Sequence, residues 1–360
     1  MIKLLIVDDS ALMRRQLSTL FEAEPDFEIR LARNGREAVL ENSSFMPDVI
    51  TLDINMPEMD GLTALSLIMA DRPVPVVMIS SLTEKGALAT FEALNLGAVD
   101  YVVKPGGTIS LSIDSIREMV ISKVRTAAKA RLKPFRKLAS GTAAAPSPAV
   151  AVSPAARLAR VPIASRVAGS SGVVVIGVST GGPRTLELIL PKLPANFPWP
   201  ILVAQHMPAS FTLSFAQRMN GMCAMNVVEA NRPMTLEPGT IYIGKGGADM
   251  QVVPRAGKLS VLAKPETAEF LWHPSVELLG RSVMEHVPAA NVLGVMLTGM
   301  GCDGADAFTA IKKRGGRTIA ESEDSCVVFG MPAELIKQGG ATITLHADKI
   351  AAQINAWVES

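Results

Sequence analysis

The 360 residues hold three cysteines, Cys223, Cys302 and Cys326, an odd number set far apart with no Cys-x-x-Cys pair. That spacing excludes a disulfide framework, a zinc site of paired cysteines and a redox dithiol, and it points to reduced thiols. Aromatic residues are scarce at 4%, too few to line a large apolar acyl pocket or to build base-stacking platforms. A charge excess of either sign is also missing. The 35 Lys and Arg balance 34 Asp and Glu to a formal net charge of +1, so no global field draws the chain to nucleic acid or an anionic membrane. No uninterrupted apolar run reaches membrane-spanning length, and residues 1–7 lead into Asp8-Asp9, too short and too acidic for a signal peptide. A soluble, cytoplasmic protein is expected. With 48% hydrophobic residues and a length sufficient for two cores, the chain should fold as two domains.

The first third alternates apolar strands with amphipathic helices, the pattern of a doubly wound parallel sheet. Strands are predicted at 3–7, 28–32, 49–53, 76–80 and 101–103, and helices at 11–23, 35–42, 61–71, 84–96 and 112–131. From Pro134 to Gly172 the pattern dissolves into Ala, Pro and Ser with scattered Arg, a composition that cannot sustain a core. This divides the chain into a domain over 1–125, a linker over 126–172 and a second domain over 173–358. The second part alternates again, with strands at 173–177, 201–204, 291–296, 317–320 and 342–345. Helices are predicted at 184–193, 211–219, 276–286, 304–314 and 348–358. Between 227 and 263, short apolar pieces separated by Glu237-Pro-Gly, Lys245-Gly-Gly and Arg255-Ala-Gly-Lys predict hairpins inserted beside a parallel sheet. The predicted fold class is α/β: an N-terminal flavodoxin-like (βα)5 domain, then a doubly wound, mainly parallel C-terminal domain with a β-hairpin insertion.

Asp8 and Asp9 end the first strand, Asp53 the third, Ser80 the fourth, and Lys104 follows the fifth. In strand order 2-1-3-4-5 these groups converge at the carboxyl edge of the sheet. Convergent carboxylates repel, and a hard divalent cation such as Mg²⁺ removes that cost. An acceptor carboxylate, a metal, a cation and a hydroxyl suit phosphoryl transfer, which works by positioning and charge neutralisation. Ile6-Val-Asp-Asp-Ser, Leu52-Asp-Ile-Asn-Met-Pro-Glu-Met-Asp-Gly61, Ile79-Ser-Ser and Gly97-Ala-Val-Asp-Tyr-Val-Val-Lys-Pro105 resemble the receiver domain of two-component response regulators. The resemblance implies Asp53 as phospho-acceptor, Asp8, Asp9, Asp53 and the Asn55 backbone around Mg²⁺, and Lys104 on the phosphoryl group. It also implies Ser80 and Tyr101 as switch residues.

In the second part, the apolar run 173–178 breaks into Ser179-Thr-Gly-Gly-Pro183 and then a helical pattern. A serine at such a strand-to-helix turn sits near unpaired N–H groups and the positive helix end, which suits a nucleophile and an oxyanion. The same turn suits a helix cap or a phosphate loop. His206, in Val203-Ala-Gln-His-Met-Pro208, and Asp303, in Leu297-Thr-Gly-Met-Gly-Cys-Asp-Gly304, follow other strands. If those strands are parallel neighbours, hydroxyl, imidazole and carboxylate meet at one edge. Gly177-Val-Ser-Thr-Gly181 satisfies Gly-x-Ser-x-Gly, but the order Ser, His, Asp departs from the α/β-hydrolase order. His273, in a Trp-His-Pro turn, His286 and His346 rank below His206, and Cys302, with no evident base beside it, is a weak rival nucleophile.

These stretches, with Gly244-Lys-Gly-Gly-Ala-Asp249, resemble the catalytic domain of chemotaxis protein-glutamate methylesterases over 173–358, and the receiver in front extends the likeness to almost the whole chain. The resemblance implies a triad of Ser179, His206 and Asp303, with N–H groups near Thr180 and Met300 steadying the oxyanion. It implies hydrolysis of γ-glutamyl methyl esters, and deamidation of particular glutamines, on methyl-accepting chemotaxis receptors. The phosphodonor would be a chemotaxis sensor histidine kinase. Ester hydrolysis would need no cofactor. Cys302 stands where the family leads one to expect a polar residue such as asparagine. A phosphorylation-controlled hydrolase of lipid or small esters is the rival enzyme, disfavoured by the few aromatics and the glycine-rich rim. A nucleic-acid regulator would rest on Arg125, Lys129, Arg131, Lys133, Arg136 and Lys137, a run better explained as a solvated helix face. A switch face and an active site in one chain predict that the unphosphorylated receiver packs across the Ser179 edge and inhibits it.

Overall fold

The computed structural model describes residues 1–80, 83–104, 109–130, 132 and 172–359. The predicted Ala/Pro/Ser-rich linker lies almost wholly outside them, as do Arg131, Lys133, Arg136 and Lys137. The N-terminal unit runs β1 (Ile2–Val7), α1 (Ala11–Glu22), β2 (Phe27–Ala32), α2 (Gly35–Ser44), β3 (Val49–Asp53), α3 (Gly61–Asp71), β4 (Val76–Ser80), α4 (Glu84–Leu96), β5 (Asp100–Val103) and α5 (Ile109–Ala128). Its parallel sheet has the order β2-β1-β3-β4-β5, as predicted. β3 and β4 are buried along their whole length, as uniformly apolar central strands must be. Helix starts are fixed by local chemistry: Ser10, Asn34, Asp60 and Thr83 each accept a hydrogen bond from the N–H three residues on. α5 ends at Ala128, three residues short of its predicted end.

The C-terminal unit contains β6 (Val173–Val178), α6 (Gly182–Ile189), β7 (Ile201–Gln205), α7 (Ala209–Met222), β8 (Asn226–Ala230), β9 (Met234–Thr235), β10 (Thr240–Gly244), β11 (Ala248–Arg255) and β12 (Lys258–Pro265). α8 (Val276–His286), β13 (Val292–Met296), α9 (Ala305–Lys313), β14 (Arg317–Glu321), α10 (Met331–Lys337), β15 (Ile343–Leu345) and α11 (Ala347–Glu359) complete it. The main sheet has seven strands in the order β15-β14-β13-β6-β7-β10-β8, all parallel. After β6 the chain moves to one side through β7 and later returns to the other side as β13, so the switch point lies at β6.

Three local expectations differ from the structure. α6 stops at Ile189 and a single 3-10 turn follows over Leu190–Lys192, because Pro191 has no N–H with which to continue the α-helical ladder. Only the turn at Ala256-Gly257, both with positive φ, makes a hairpin, joining β11 to β12. The two earlier turn signals flank β10, which lies parallel between β7 and β8 in the main sheet, since a local turn does not specify whether the chain reverses or crosses over. The seven residues of α10 are too few for a helical period to be read.

The two units share one apolar cluster. α4 lies against α6 and α7, with the Phe91 ring 6.1 Å from Phe211 and 5.5 Å from Phe215. Tyr101, on β5, stacks on Phe211 at 4.9 Å. Val327 packs against the apolar cluster beneath α5.

Gly61 opens α3 with its N–H bonded to the Ile54 carbonyl, and a Cβ there would collide with the Asp53 backbone oxygen. That contact is with backbone and cannot rotate away, so Gly61→Ala should destabilise the N-terminal unit by about 2 kcal/mol or more. Urea unfolding would show a lowered midpoint; an unchanged midpoint would contradict the packing described.

Candidate active site

β13, β6 and β7 are adjacent, with Met296 opposite Gly177 and Gly177 opposite Ala204, so their C-terminal ends deliver three loops to one edge. Ser179 is the first residue beyond β6 and is partly exposed. Its N–H donates to the Thr298 carbonyl (3.0 Å), and its own carbonyl accepts from Gly182 N (2.8 Å) and Gln205 Nε2 (3.0 Å). Gly181, with φ of 80°, turns the chain into α6, whose N-terminus faces the turn. A Cβ at Gly299 would stand 2.7 Å from the Ser179 Cβ, so glycine is required for the two loops to approach. Thr298 knits the rim together: its Oγ1 donates to the Thr180 carbonyl (3.0 Å) and accepts from Val327 N and Val328 N.

His206 Nε2 lies 2.9 Å from Asp303 Oδ2, while the buried Nδ1 has no hydrogen-bond partner among the described residues. Asp303 also accepts from Val276 N (2.7 Å), Glu277 N (3.0 Å) and Ser275 Oγ (3.1 Å), at the N-terminus of α8. Burial pushes its carboxyl pKa up, but the His206 contact and the two backbone donors outweigh this and hold it below the usual carboxylate value. Asp303 is therefore an ionised, fixed acceptor.

Ser179 and His206 line one small void, although no hydrogen bond joins Ser179 to the His206 Nδ1. The other histidines are committed elsewhere: His273 to Asp249 (3.0 Å), His346 to Asp348 (2.7 Å), and His286 next to Glu285 (3.9 Å). Cys302 is exposed, and its thiol pKa is raised by partial burial and by the carboxylates of Glu334, Asp303, Asp306 and Glu277, the wrong direction for a nucleophile. Thr180 and Met300 both meet the N-terminal unit. Thr180 Oγ1 donates to Asp100 Oδ2 (2.7 Å), and Met300 sulfur accepts from Ser122 Oγ (3.3 Å) and Thr126 Oγ1 (2.9 Å).

Sequence reasoning missed Trp272, whose indole lies parallel to the His206 ring at 5.6 Å, and Asp249, Ser275, Gln205 and Asp100. Ser275 was readable as the N-cap of α8. Nothing local announced Trp272.

In the N-terminal unit, carboxylate oxygens of Asp8, Asp9 and Asp53 lie within 4.8 Å of one another. Lys104 Nζ stands 2.9 Å from Asp8 Oδ2 and 3.0 Å from Asp53 Oδ1. Burial raises the Asp53 pKa to about 6; Lys104 opposes the shift and Asp8 adds to it. Burial alone would lower the Lys104 pKa, but the two carboxylates raise it. Asn55 is exposed beside this cluster. Ser80 is buried, its Oγ 3.1 Å from the Gly86 carbonyl. Tyr101 is buried too, its hydroxyl without a hydrogen-bond partner among the described residues. Burial, then the Asp100 charge, pushes the Tyr101 pKa well up.

Residues 174–354 match the model of the CheB methylesterase family, and residues 4–113 that of the response regulator receiver domain. The chain is 54% identical over 360 residues to protein-glutamate methylesterase/protein-glutamine glutaminase 3 of Rhodospirillum rubrum, covering 99% of this chain and 96% of that one. It is 46% identical to the protein of the same name in Vibrio cholerae, over 93% and 91% of the two chains. The solved catalytic domain of Thermotoga maritima CheB methylesterase aligns with a TM-score of 0.50 and 38% identity, covering 52% of this chain and 99% of that one. An N-terminal receiver sheet and a parallel catalytic sheet, each matched by its own family model, place the chain in the CheB methylesterase family, in the form led by a response regulator receiver domain.

Proposed function

We propose that this chain is a phosphorylation-activated serine hydrolase that demethylates γ-glutamyl methyl esters and deamidates particular glutamines on methyl-accepting chemotaxis receptors. Its receiver spans 1–125, its linker 126–172 and its catalytic domain 173–358, and it works in the cytoplasm, where a chemotaxis sensor histidine kinase supplies the phosphoryl group. The observation that carries the reading is the Nε2 contact of His206 with a caged, ionised Asp303, on the loop next to Ser179.

With Nε2 given to Asp303, Nδ1 is the nitrogen left to take the Ser179 proton. Ser179 Oγ then bonds to the ester carbon, and the tetrahedral oxyanion is steadied by the N–H groups of Thr180 and Met300. His206 returns the proton to the leaving methoxide, releasing methanol. Water, deprotonated by the same nitrogen, resolves the acyl-enzyme to glutamate. A glutamine amide follows the same course with ammonia leaving. Serine supplies the nucleophile itself, so hydrolysis calls for no cofactor.

Inhibition by the receiver is supported by what lies over Ser179. Asp100 holds the Thr180 hydroxyl, Tyr101 covers Phe211, and the void left beside Ser179 and His206, about 10 Å³, has room for about one water molecule. The Asp8, Asp9 and Asp53 oxygens fit a small divalent cation, to which the Asn55 backbone would add a further ligand; Mg²⁺ there would neutralise charge during phosphoryl transfer to Asp53. Lys104 and Ser80 would then hold the phosphoryl oxygens, and Tyr101 would follow Ser80, loosening the contact with Phe211.

Methanol release from methylated receptor should be abolished by Ser179→Ala and fall on the order of 10³- to 10⁴-fold in Asp303→Asn. Retention of wild-type rates in either variant would remove the triad. A fragment beginning at Gly172 should turn over faster than the unphosphorylated full chain, and equal rates would rule out inhibition. Because the Cys302 thiol pKa is raised, its thiolate forms only at alkaline pH; Cys302→Ser should therefore keep turnover within about twofold. A loss as deep as that of Ser179→Ala would make Cys302 the nucleophile.

A further inference from the structure

We infer that Trp272 is a positioning residue for His206: its indole, stacked flat on the imidazole, holds the ring so that Nε2 meets Asp303 and Nδ1 stays uncommitted. This rests on the reading of His206 as general base.

The two ring centroids are 5.6 Å apart and the planes differ by 4°, an offset parallel stack. A histidine anchored through one nitrogen can still swing about that contact, since its second side-chain torsion sits in a broad, roughly two-fold well. Asp303 fixes one point of the ring; a flat surface against its face fixes the plane. The negative face of the indole also favours the imidazolium that forms when the serine proton is taken.

Trp272 is itself held. Gly301, at a φ of 88°, leaves a slot for the indole edge, where a Cβ would lie 2.8 Å from Cη2. The next residue, His273, is tied to Asp249, which also accepts from Ser275 N at 2.8 Å. Ser275 Oγ in turn donates to Asp303. One short segment therefore carries both the donors that cage the acid and the plate that orients the base. Trp272 is only half-buried, so filling the core does not account for its place.

The test compares full-length wild type, Trp272→Leu and Trp272→Phe, each activated with phosphoramidate and Mg²⁺, by methanol release from methylated receptor. Trp272→Leu should lower kcat on the order of 10- to 100-fold, since small misplacements of a reacting group cost that much. KM should stay within about threefold, and Trp272→Phe, which keeps a flat face, should recover kcat to within about threefold of wild type. A Leu variant with wild-type kcat, a loss confined to KM, or a Phe variant as poor as Leu would overturn the inference. Should Trp272→Leu not fold, the wild-type protein decides: ring current should move the carbon-bound protons of His206 upfield in its NMR spectrum, and unshifted protons would overturn the stack. Absence of turnover in wild type would overturn the functional reading and the inference with it, whereas normal wild-type turnover with an unaffected Leu variant overturns the inference alone.

Discussion

An ionised carboxylate buried among apolar strands is costly unless its lone pairs are filled, and the whole catalytic edge is organised around filling those of Asp303. Two backbone N–H groups and a hydroxyl at the start of α8 supply three of the donors, and His206 supplies the fourth. The arrangement needs α8 to begin where it does. Ser275 caps that helix through Leu278 N and reaches Asp303 with the same hydroxyl. It needs the 270s loop to be tied down, which Asp249 does from β11. It also needs Gly304 to turn the chain at a φ of 84° immediately after Asp303, with Val276 so close that any side chain there would collide. Once Asp303 is placed, the orientation of the imidazole follows from Nε2 and the flat face of Trp272.

The receiver meets this edge with a different kind of contact. The aromatic stack of Tyr101 on Phe211 and the Phe91 contacts supply apolar burial, which has no direction, while the hydrogen bonds from Thr180 to Asp100 and from Ser122 and Thr126 to the Met300 sulfur supply register. Asp100 is also the acceptor for Lys123, whose ammonium reaches the Tyr101 carbonyl as well. Asp53, Ser80 and Asp100 sit on three adjacent strands, β3, β4 and β5. On the proposed reading, a charge added at Asp53 acts on Ser80 and Lys104 and so on the strand that carries Asp100 and Tyr101. β3 and β5 are two strand spacings apart, close enough for packing through β4 to carry the signal.

Much of this was legible before any coordinates. The exact ends of β3, α3 and β4 follow from apolar runs bounded by Asp, Gly and Pro, where local signals agree with the tertiary outcome, and the N-terminal strand order is the common one for a doubly wound sheet. Ser179, His206 and Asp303 could be singled out because each follows an apolar strand, Ser179 and Asp303 in stretches rich in glycine and His206 just before Met-Pro. The parallel pairing of β8 and β10 could not, because a turn signal says where a chain bends and not which strand it will join. Trp272 could not either, since its role depends on a ring 66 residues away in the chain and on a slot at Gly301 that opens only when the loops meet.

Sequence alone determined the element types, the division into two α/β units and the chemical inventory at the strand ends, because these depend on periodicity, turn residues and side-chain chemistry that are local properties of the chain. Tertiary structure decided which nitrogen of His206 meets Asp303, what cages that acid, and that Asp100 rather than any other receiver residue takes the Thr180 hydroxyl. Those outcomes depend on distances between segments far apart in the chain, and such distances are set by how strands pair and helices pack rather than by any local pattern.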